Sequence, residues 1–376
     1  AAWIRRALRS GSTEAGEAAR GVLCLTVREP DESLPIESLL LAGLHAVAVP
    51  APTDRRDGSG WREAFWQGME LVRTAIEQRQ PTALLLLTRQ DASLAAMFFA
   101  LAQSVQKELG IPARWYAWPE LLERESPELL RAILADAVHP QTPAGRKLLH
   151  ADGDGWACSE VAWQLTPLAG PAPRPGSANG VYWITGGNGG IGQKIAEHLA
   201  GAHGATVLVS GRSPEAPRWL NERSAIRGAI HYVPADCTQR SSLQDALTWI
   251  LGTFGRLTGV IHAAGVLRDR SLFGKTYEDV QAVLAPKIDG ALLLDEITQH
   301  CALESFVLFS SITGVWGNPG QTDYAAANAF LTRFAQERQE RVARGERTGR
   351  SAVIHWPYWE EGGMRRYVVR PGENAL

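Results

Sequence analysis

Tyr324-Ala325-Ala326-Ala327-Asn328 puts a phenol and an amide at i and i+4, on one face of a helix. A phenol can give a proton to a carbonyl oxygen that is becoming an alcohol. Far upstream, Thr185-Gly186-Gly187-Asn188-Gly189-Gly190-Ile191-Gly192 follows the apolar run Val181-Tyr182-Trp183-Ile184 and leads into Ile191, Ile195 and Leu199 at helical spacing. An apolar strand, a glycine-rich turn and a helix make a dinucleotide-binding unit, because glycines let the backbone approach a pyrophosphate lying at the helix N-terminus. The spacing of Gly186, Gly190 and Gly192 is a looser variant of the usual fingerprint. A nicotinamide cofactor beside a proton-donating tyrosine is the chemistry of a reductase.

A glycine-rich turn alone is weak evidence, but further features follow it in order. Ser210-Gly211-Arg212-Ser213 closes the second strand of this half, where an acidic residue would grip a ribose 2′-hydroxyl. Arg212 there suits the 2′-phosphate of NADPH; the bland alternative is a solvated surface arginine. Asp236, followed by Cys237, comes after the third strand and either accepts from the adenine amine or serves as a helix cap or turn residue. His262-Ala263-Ala264-Gly265 ends the fourth strand with small residues that would let a cofactor lie close, and Ser310-Ser311 ends the fifth.

These residues need a scaffold, and the sequence alternates strand-like and helix-like runs throughout. Strands are expected at 22–27, 45–49, 83–87 and 113–118, with helices at 61–77 and 93–109 and a closing hairpin across 146–165, turned at Asp152-Gly153-Asp154-Gly155. Prolines and small residues at 171–177 read as a linker. Beyond it, strands are expected at 181–184, 205–209, 229–233, 259–262, 305–309 and 352–356. Helices are expected at 191–202, 242–255, 277–299 (broken or kinked at Pro286) and 324–344. The first half carries Arg28-Glu29-Pro30-Asp31 where a cofactor turn would stand. The expected fold is α/β with two Rossmann-like lobes, parallel sheets flanked by helices, and only the second binding a dinucleotide. Residues 1–170 would be a structural, cofactorless subdomain and 178–376 the catalytic one. The shared element order suggests a duplication.

Composition narrows the function classes. A chain of 376 residues, 45% hydrophobic, can bury a substantial core and is long enough for two domains, and a net charge of -2 without a basic run argues against nucleic acid as the main ligand. Cys24, Cys158, Cys237 and Cys301 are scattered without metal-ligand spacing, so reduced thiols and no metal are expected. The apolar stretches at 84–87 and 97–101 are too short to span a bilayer and no signal-peptide pattern opens the sequence, which makes a soluble cytoplasmic protein the expectation.

The strings TGGNGGIG, HAAGVLRD, LAPKIDGALLL, FVLFSS and GQTDYAAANAF occur in the order and spacing of one family. Residues 180 to about 364 resemble a ketoreductase domain of a modular polyketide synthase, within the short-chain dehydrogenase/reductase superfamily. The preceding half looks like the truncated structural subdomain of such ketoreductases. The closing string HWPYWEEGGM is similar to trans-acyltransferase assembly lines, while Arg365-Arg366-Tyr367 departs from the lid expected next. The resemblance implies NADPH-dependent reduction of a β-ketoacyl chain carried on an acyl carrier protein, among neighbouring synthase domains. It implies that Tyr324 donates the proton, Ser311 hydrogen-bonds the same oxygen, Lys287 lowers the tyrosine's pKa and Asn328 completes the relay. Ordinary short-chain reductases carry a lysine four residues after the tyrosine. Here Asn328 holds that position and the lysine comes from an earlier helix, as in the polyketide ketoreductases.

Each residue has a bland reading alone: Lys287 a solvated helix lysine, Ser311 a strand-end hydroxyl, Tyr324 a half-buried aromatic and Asn328 a helix surface residue. The competing functions are an inactive scaffold domain, which the intact tetrad argues against, and a free-standing ketone reductase. For product stereochemistry the resemblance gives opposing signals. The aspartate of Leu267-Arg268-Asp269 marks D-alcohol producers, whereas Trp316, eight residues before Tyr324, marks the L class. Asp269 and a D-alcohol are favoured, with Trp316 read as packing between Gly314 and Gly317.

Overall fold

The apolar runs become strands of two six-stranded sheets in the computed structural model, which describes residues 22–28, 45–50, 52, 54–79, 81, 83–88, 93–117, 145–152, 155–160, 179–221 and 229–359. The expected linker at 171–177 and the segment after Met364 lie outside these residues.

The first sheet takes β1 (Val22–Arg28), β2 (His45–Pro50), β3 (Ala83–Thr88), β4 (Ala113–Ala117), β5 (Gly145–Asp152) and β6 (Gly155–Glu160) in the order β2-β1-β3-β4-β5-β6. Its pairings are parallel except for β5 with β6, the expected hairpin. Helices α1 (Gly58–Arg79) and α2 (Ser93–Leu109) belong to this lobe.

The second sheet is parallel throughout, in the order β12-β11-β10-β7-β8-β9, the doubly wound pattern that reverses direction between β7 and β10. It contains β7 (Val181–Thr185), β8 (Thr206–Gly211), β9 (Ile230–Pro234), β10 (Gly259–His262), β11 (Ser305–Ser311) and β12 (Arg350–Trp356). Around it lie α3 (Gly190–His203), the short α4 (Arg218–Asn221), α5 (Arg240–Phe254), α6 (Tyr277–Ile297), the short α7 (Thr313–Trp316) and α8 (Thr322–Ala343). The run Val181 to Ile184 is buried residue by residue, as a strand covered on both faces must be.

Pro286 does not break α6. Its missing N–H removes one helical bond, but Val283, Leu284 and Ile288 are fully buried and hold the helix on either side of the gap. The lobes share one apolar core that runs from Phe65 and Phe98 to Trp183 and Phe330. Ala100 of α2 packs against Ala325 and Ala329 of α8, and such small side chains let the two helices approach closely. On α1, Arg62 pairs with Asp289 of α6 at 3.1 Å. The first lobe therefore stands directly behind the two helices that bear Lys287 and Tyr324.

Candidate active site

The carboxyl ends of β7, β8, β9 and β10 open onto a cleft of about 570 Å³ at the point where the strand order reverses. Thr185, Gly186, Asn188, Arg212, Ser213, Asp236, Cys237, Ala263, Ala264 and Gly265 all line it, opposite Ala282, Ala285 and Pro286 of α6. Gly186 turns with φ +71°, and a Cβ there would stand 2.7 Å from the Ala264 backbone. Only glycine reconciles that dihedral with that approach. Gly187 presses against Val209 and Gly192 against the Gly186 carbonyl, so these two shape the turn from behind. Gly190 opens α3, which has Gly189 at its N-cap and no side-chain cap, leaving the helix end suited to an anion. Ile191 packs on the core beneath, and buried Ser210 accepts from Trp183 Nε1 at 3.0 Å. Gly187, Gly190, Ile191, Gly192 and Ser210 build the cradle without lining the cleft themselves.

Arg212 is exposed at the rim, just past the end of β8. Asp236 makes a turn, its Oδ1 accepting from the Thr238 amide at 2.9 Å and hydroxyl at 2.8 Å, while Gln239, not Asp236, occupies the N-cap position of α5 without a side-chain bond. The Cys237 thiol is pushed up to about 12 by burial, which makes it an apolar wall rather than a nucleophile. His262 lies under the cleft floor, fully buried, with Nδ1 2.7 Å from the Thr185 hydroxyl. A cradle that a single Cβ would fill, an uncapped helix end and an arginine at the rim fit a phosphorylated dinucleotide.

Beside this cleft, at the end of β11, the structure brings the four remaining polar residues together. Tyr324 is buried on the first turns of α8 among Leu267 and Val283. Burial raises its phenol above the usual value, while hydrogen bonds with the Asn328 and Ser311 side chains oppose that rise. Lys287 is 3% exposed, donates to the Phe309 carbonyl at 2.9 Å, and holds its Nζ 5.6 Å from the Tyr324 ring centroid. Burial drops its ammonium to about 8. Asn328 is fully buried and donates through Nδ2 to the Tyr324 carbonyl at 2.7 Å. The bland readings of Lys287 and Asn328 as solvated residues fail.

Residues 180–361 match the KR domain family. This half of the chain belongs to the ketoreductase domains of polyketide synthases. Over 195 residues it is 42% identical to polyketide synthase PksN of Bacillus subtilis (strain 168), a stretch that is 51% of this chain and 4% of that protein. Polyketide synthase ThaG of Burkholderia thailandensis is 42% identical over 200 residues, 53% of this chain and 4% of that one. The chain thus spans a small fraction of the length of the curated relatives it matches. A solved ketoreductase domain from the bacillaene assembly line superposes with a TM-score of 0.73 and 27% identity over 91% of this chain and 82% of its own. Oxidoreductase chemistry with a nicotinamide cofactor is what a ketoreductase domain performs. Among the described residues no helix is long and apolar enough to cross a membrane.

Asp269 and Trp316, the two residues that the family resemblance singles out for stereochemistry, occupy different settings. Asp269 accepts from Gln321 Nε2 at 2.8 Å, which fixes its carboxylate against the loop before α8. Trp316 is 51% exposed and is not packing filler. The four-residue α7, closed by Gly317, turns it outward. Sequence reasoning also missed Lys275, whose ammonium lies 2.7 Å from Asp323 and 2.7 Å from the Arg268 carbonyl, fully buried beneath the Leu267–Asp269 segment. A lone lysine in a loop carries no sequence signal of burial.

Proposed function

We propose that this chain reduces a β-ketoacyl thioester on an acyl carrier protein to the β-hydroxyacyl thioester with NADPH, within a trans-acyltransferase polyketide synthase. The buried contact of Lys287, Ser311 and Asn328 with Tyr324, next to a glycine cradle, is the observation that carries this reading. Bound NADPH would supply hydride to the ketone carbon. Ser311 holds the ketone oxygen by a hydrogen bond and Tyr324 gives that oxygen its proton. Burial keeps the phenol protonated at neutral pH, so the acid is loaded before substrate arrives. When the proton leaves, the Lys287 ammonium steadies the phenolate across a distance of 5.6 Å to the ring. Asn328 anchors the helical turn that carries the tyrosine. Asp269, held by Gln321, guides the chain so that the D-alcohol results.

The test is turnover of a β-ketoacyl thioester with NADPH or NADH, followed by loss of reduced nicotinamide absorbance and chiral chromatography of the product. NADPH consumption and a D-alcohol are expected. A predominantly L-alcohol transfers stereocontrol to Trp316, and a folded protein that oxidises neither cofactor favours a scaffold. Arg212→Ala should raise KM for NADPH by roughly tens of fold, the worth of a charge-assisted contact, and leave NADH nearly unchanged. Equal losses would remove the 2′-phosphate assignment.

A further inference from the structure

Helix α2 lies in the lobe that lacks the cofactor turn, yet its last turns reach two segments of the other lobe. Glu108 accepts from the Leu272 amide through Oε1 at 2.8 Å and from the Gly320 amide through Oε2 at 3.1 Å. One carboxylate therefore ties the end of the Leu267–Ser271 segment to the turn that leads into α8 and Tyr324. The same turn is pinned by two further residues of α2 through three contacts. Lys107 Nζ donates to the Gly317 carbonyl at 3.2 Å, and Ser104 Oγ accepts from the Asn318 amide at 3.2 Å. Gly317, at φ +66°, comes so close that a Cβ would stand 2.5 Å from the Ser104 nitrogen. The two tied segments also hold each other, Arg270 N donating to Gly320 O at 3.0 Å and Gln321 Nε2 to Asp269.

A carboxylate in the final turn of a helix faces the negative end of the helix dipole and is locally unfavourable. Glu108 stands in the final turn of α2, which ends at Leu109. Two charge-assisted bonds to backbone amides of another lobe offset that position. Asp269 lies three residues before one of these amides and Trp316 four before the other. We infer that Glu108 is a positioning residue that sets the spacing between the Asp269 and Trp316 segments, and thereby which face of the ketone meets the cofactor. The inference rests on the ketoreductase reading above.

Glu108→Ala and the isosteric Glu108→Gln test it, in the full chain, with three readouts expected to move and one control. Glu108→Ala should raise KM for the β-ketoacyl thioester by about tenfold, the effect of losing roughly one charge-assisted bond, and lower the enantiomeric excess. Its dissociation constant for NADPH should stay unchanged, because Glu108 does not line the nucleotide cleft. Amide hydrogen exchange of peptides covering 269–272 and 318–321 should quicken. Glu108→Gln retains one acceptor and should fall between wild type and alanine in all three. Unchanged enantiomeric excess and exchange in a folded Glu108→Ala overturn the inference while leaving the ketoreductase reading intact. A folded wild type that reduces no β-ketoacyl thioester overturns both. If the alanine variant does not fold, Glu108→Gln decides: wild-type stereochemistry and exchange overturn the inference.

Discussion

The two lobes are built from similar parts and do different work. Each has a six-stranded sheet, and each first strand, β1 or β7, is flanked by parallel neighbours. After β7 the chain turns through Gly186 into α3, and the neighbouring strand ends leave a cleft. After β1 the sequence offers Arg28-Glu29-Pro30-Asp31 instead. A sheet of this kind is a frame, and whether it takes a nucleotide is decided by a few residues at the strand ends. The first lobe's helices face the second: α1 reaches α6 through Arg62 and Asp289, and α2 packs its alanines on α8. Its contribution is to hold the helices that carry Lys287 and Tyr324.

That division predicts opposite signatures for substitutions in the two lobes. Tyr324→Phe removes one hydroxyl and should lower kcat by roughly 10²–10⁴-fold, the usual worth of a positioned acid, with cofactor affinity and melting temperature nearly intact. Phe65→Ala, in the core of the first lobe, should show the converse. Phe65 is fully buried against Phe98, so its loss should reduce stability by about 3–5 kcal/mol while the folded fraction keeps its kcat. Denaturant titration beside steady-state kinetics measures both. A Phe65→Ala protein that is fully folded but as slow as Tyr324→Phe would dissolve the distinction.

Most of this frame was legible because apolar runs of strand length, punctuated by glycine and proline, leave few alternatives. The strands run on past the apolar stretches: β8 continues through Ser210 and Gly211, and β11 through Ser310 and Ser311. Backbone pairing extends them, with Ser310 opposite His355, and backbone pairing has no sequence signature. α6 passes through Pro286 because tertiary packing outweighs one missing bond. Tyr324 and Asn328 were visible as a helical pair, and Lys287 drew attention only through a family string. Glu108 was invisible, since its partners lie more than 160 residues away in sequence and are main-chain amides. Trp316 was misjudged because a four-residue helix that contains Gly314 and ends at Gly317 has no periodicity to reveal which side faces out.

The smallest expected effect sharpens the comparison by pH. His262 lies beneath the cleft of the second lobe, fully buried, and first its burial and then the nearby Lys287 charge push its pKa down to about 3. In an unfolded chain the imidazole titrates near about 6.5. Between those values the unfolded chain carries a proton that the folded one does not. The folded state is therefore favoured in full above about 6.5 and loses ground as pH falls toward about 3. At pH 5 this one group should account for about 2 kcal/mol of lost stability relative to pH 8. His262→Asn keeps a polar partner for the Thr185 hydroxyl and has nothing to titrate, so its stability should decline less over that range. Phe65→Ala should instead lower stability by the same amount at both pH values, because a cavity does not titrate. Urea midpoints at pH 8 and pH 5 for the three proteins separate these cases. If His262→Asn declines as steeply as wild type, the acid lability belongs to carboxylates and not to the floor of the cleft.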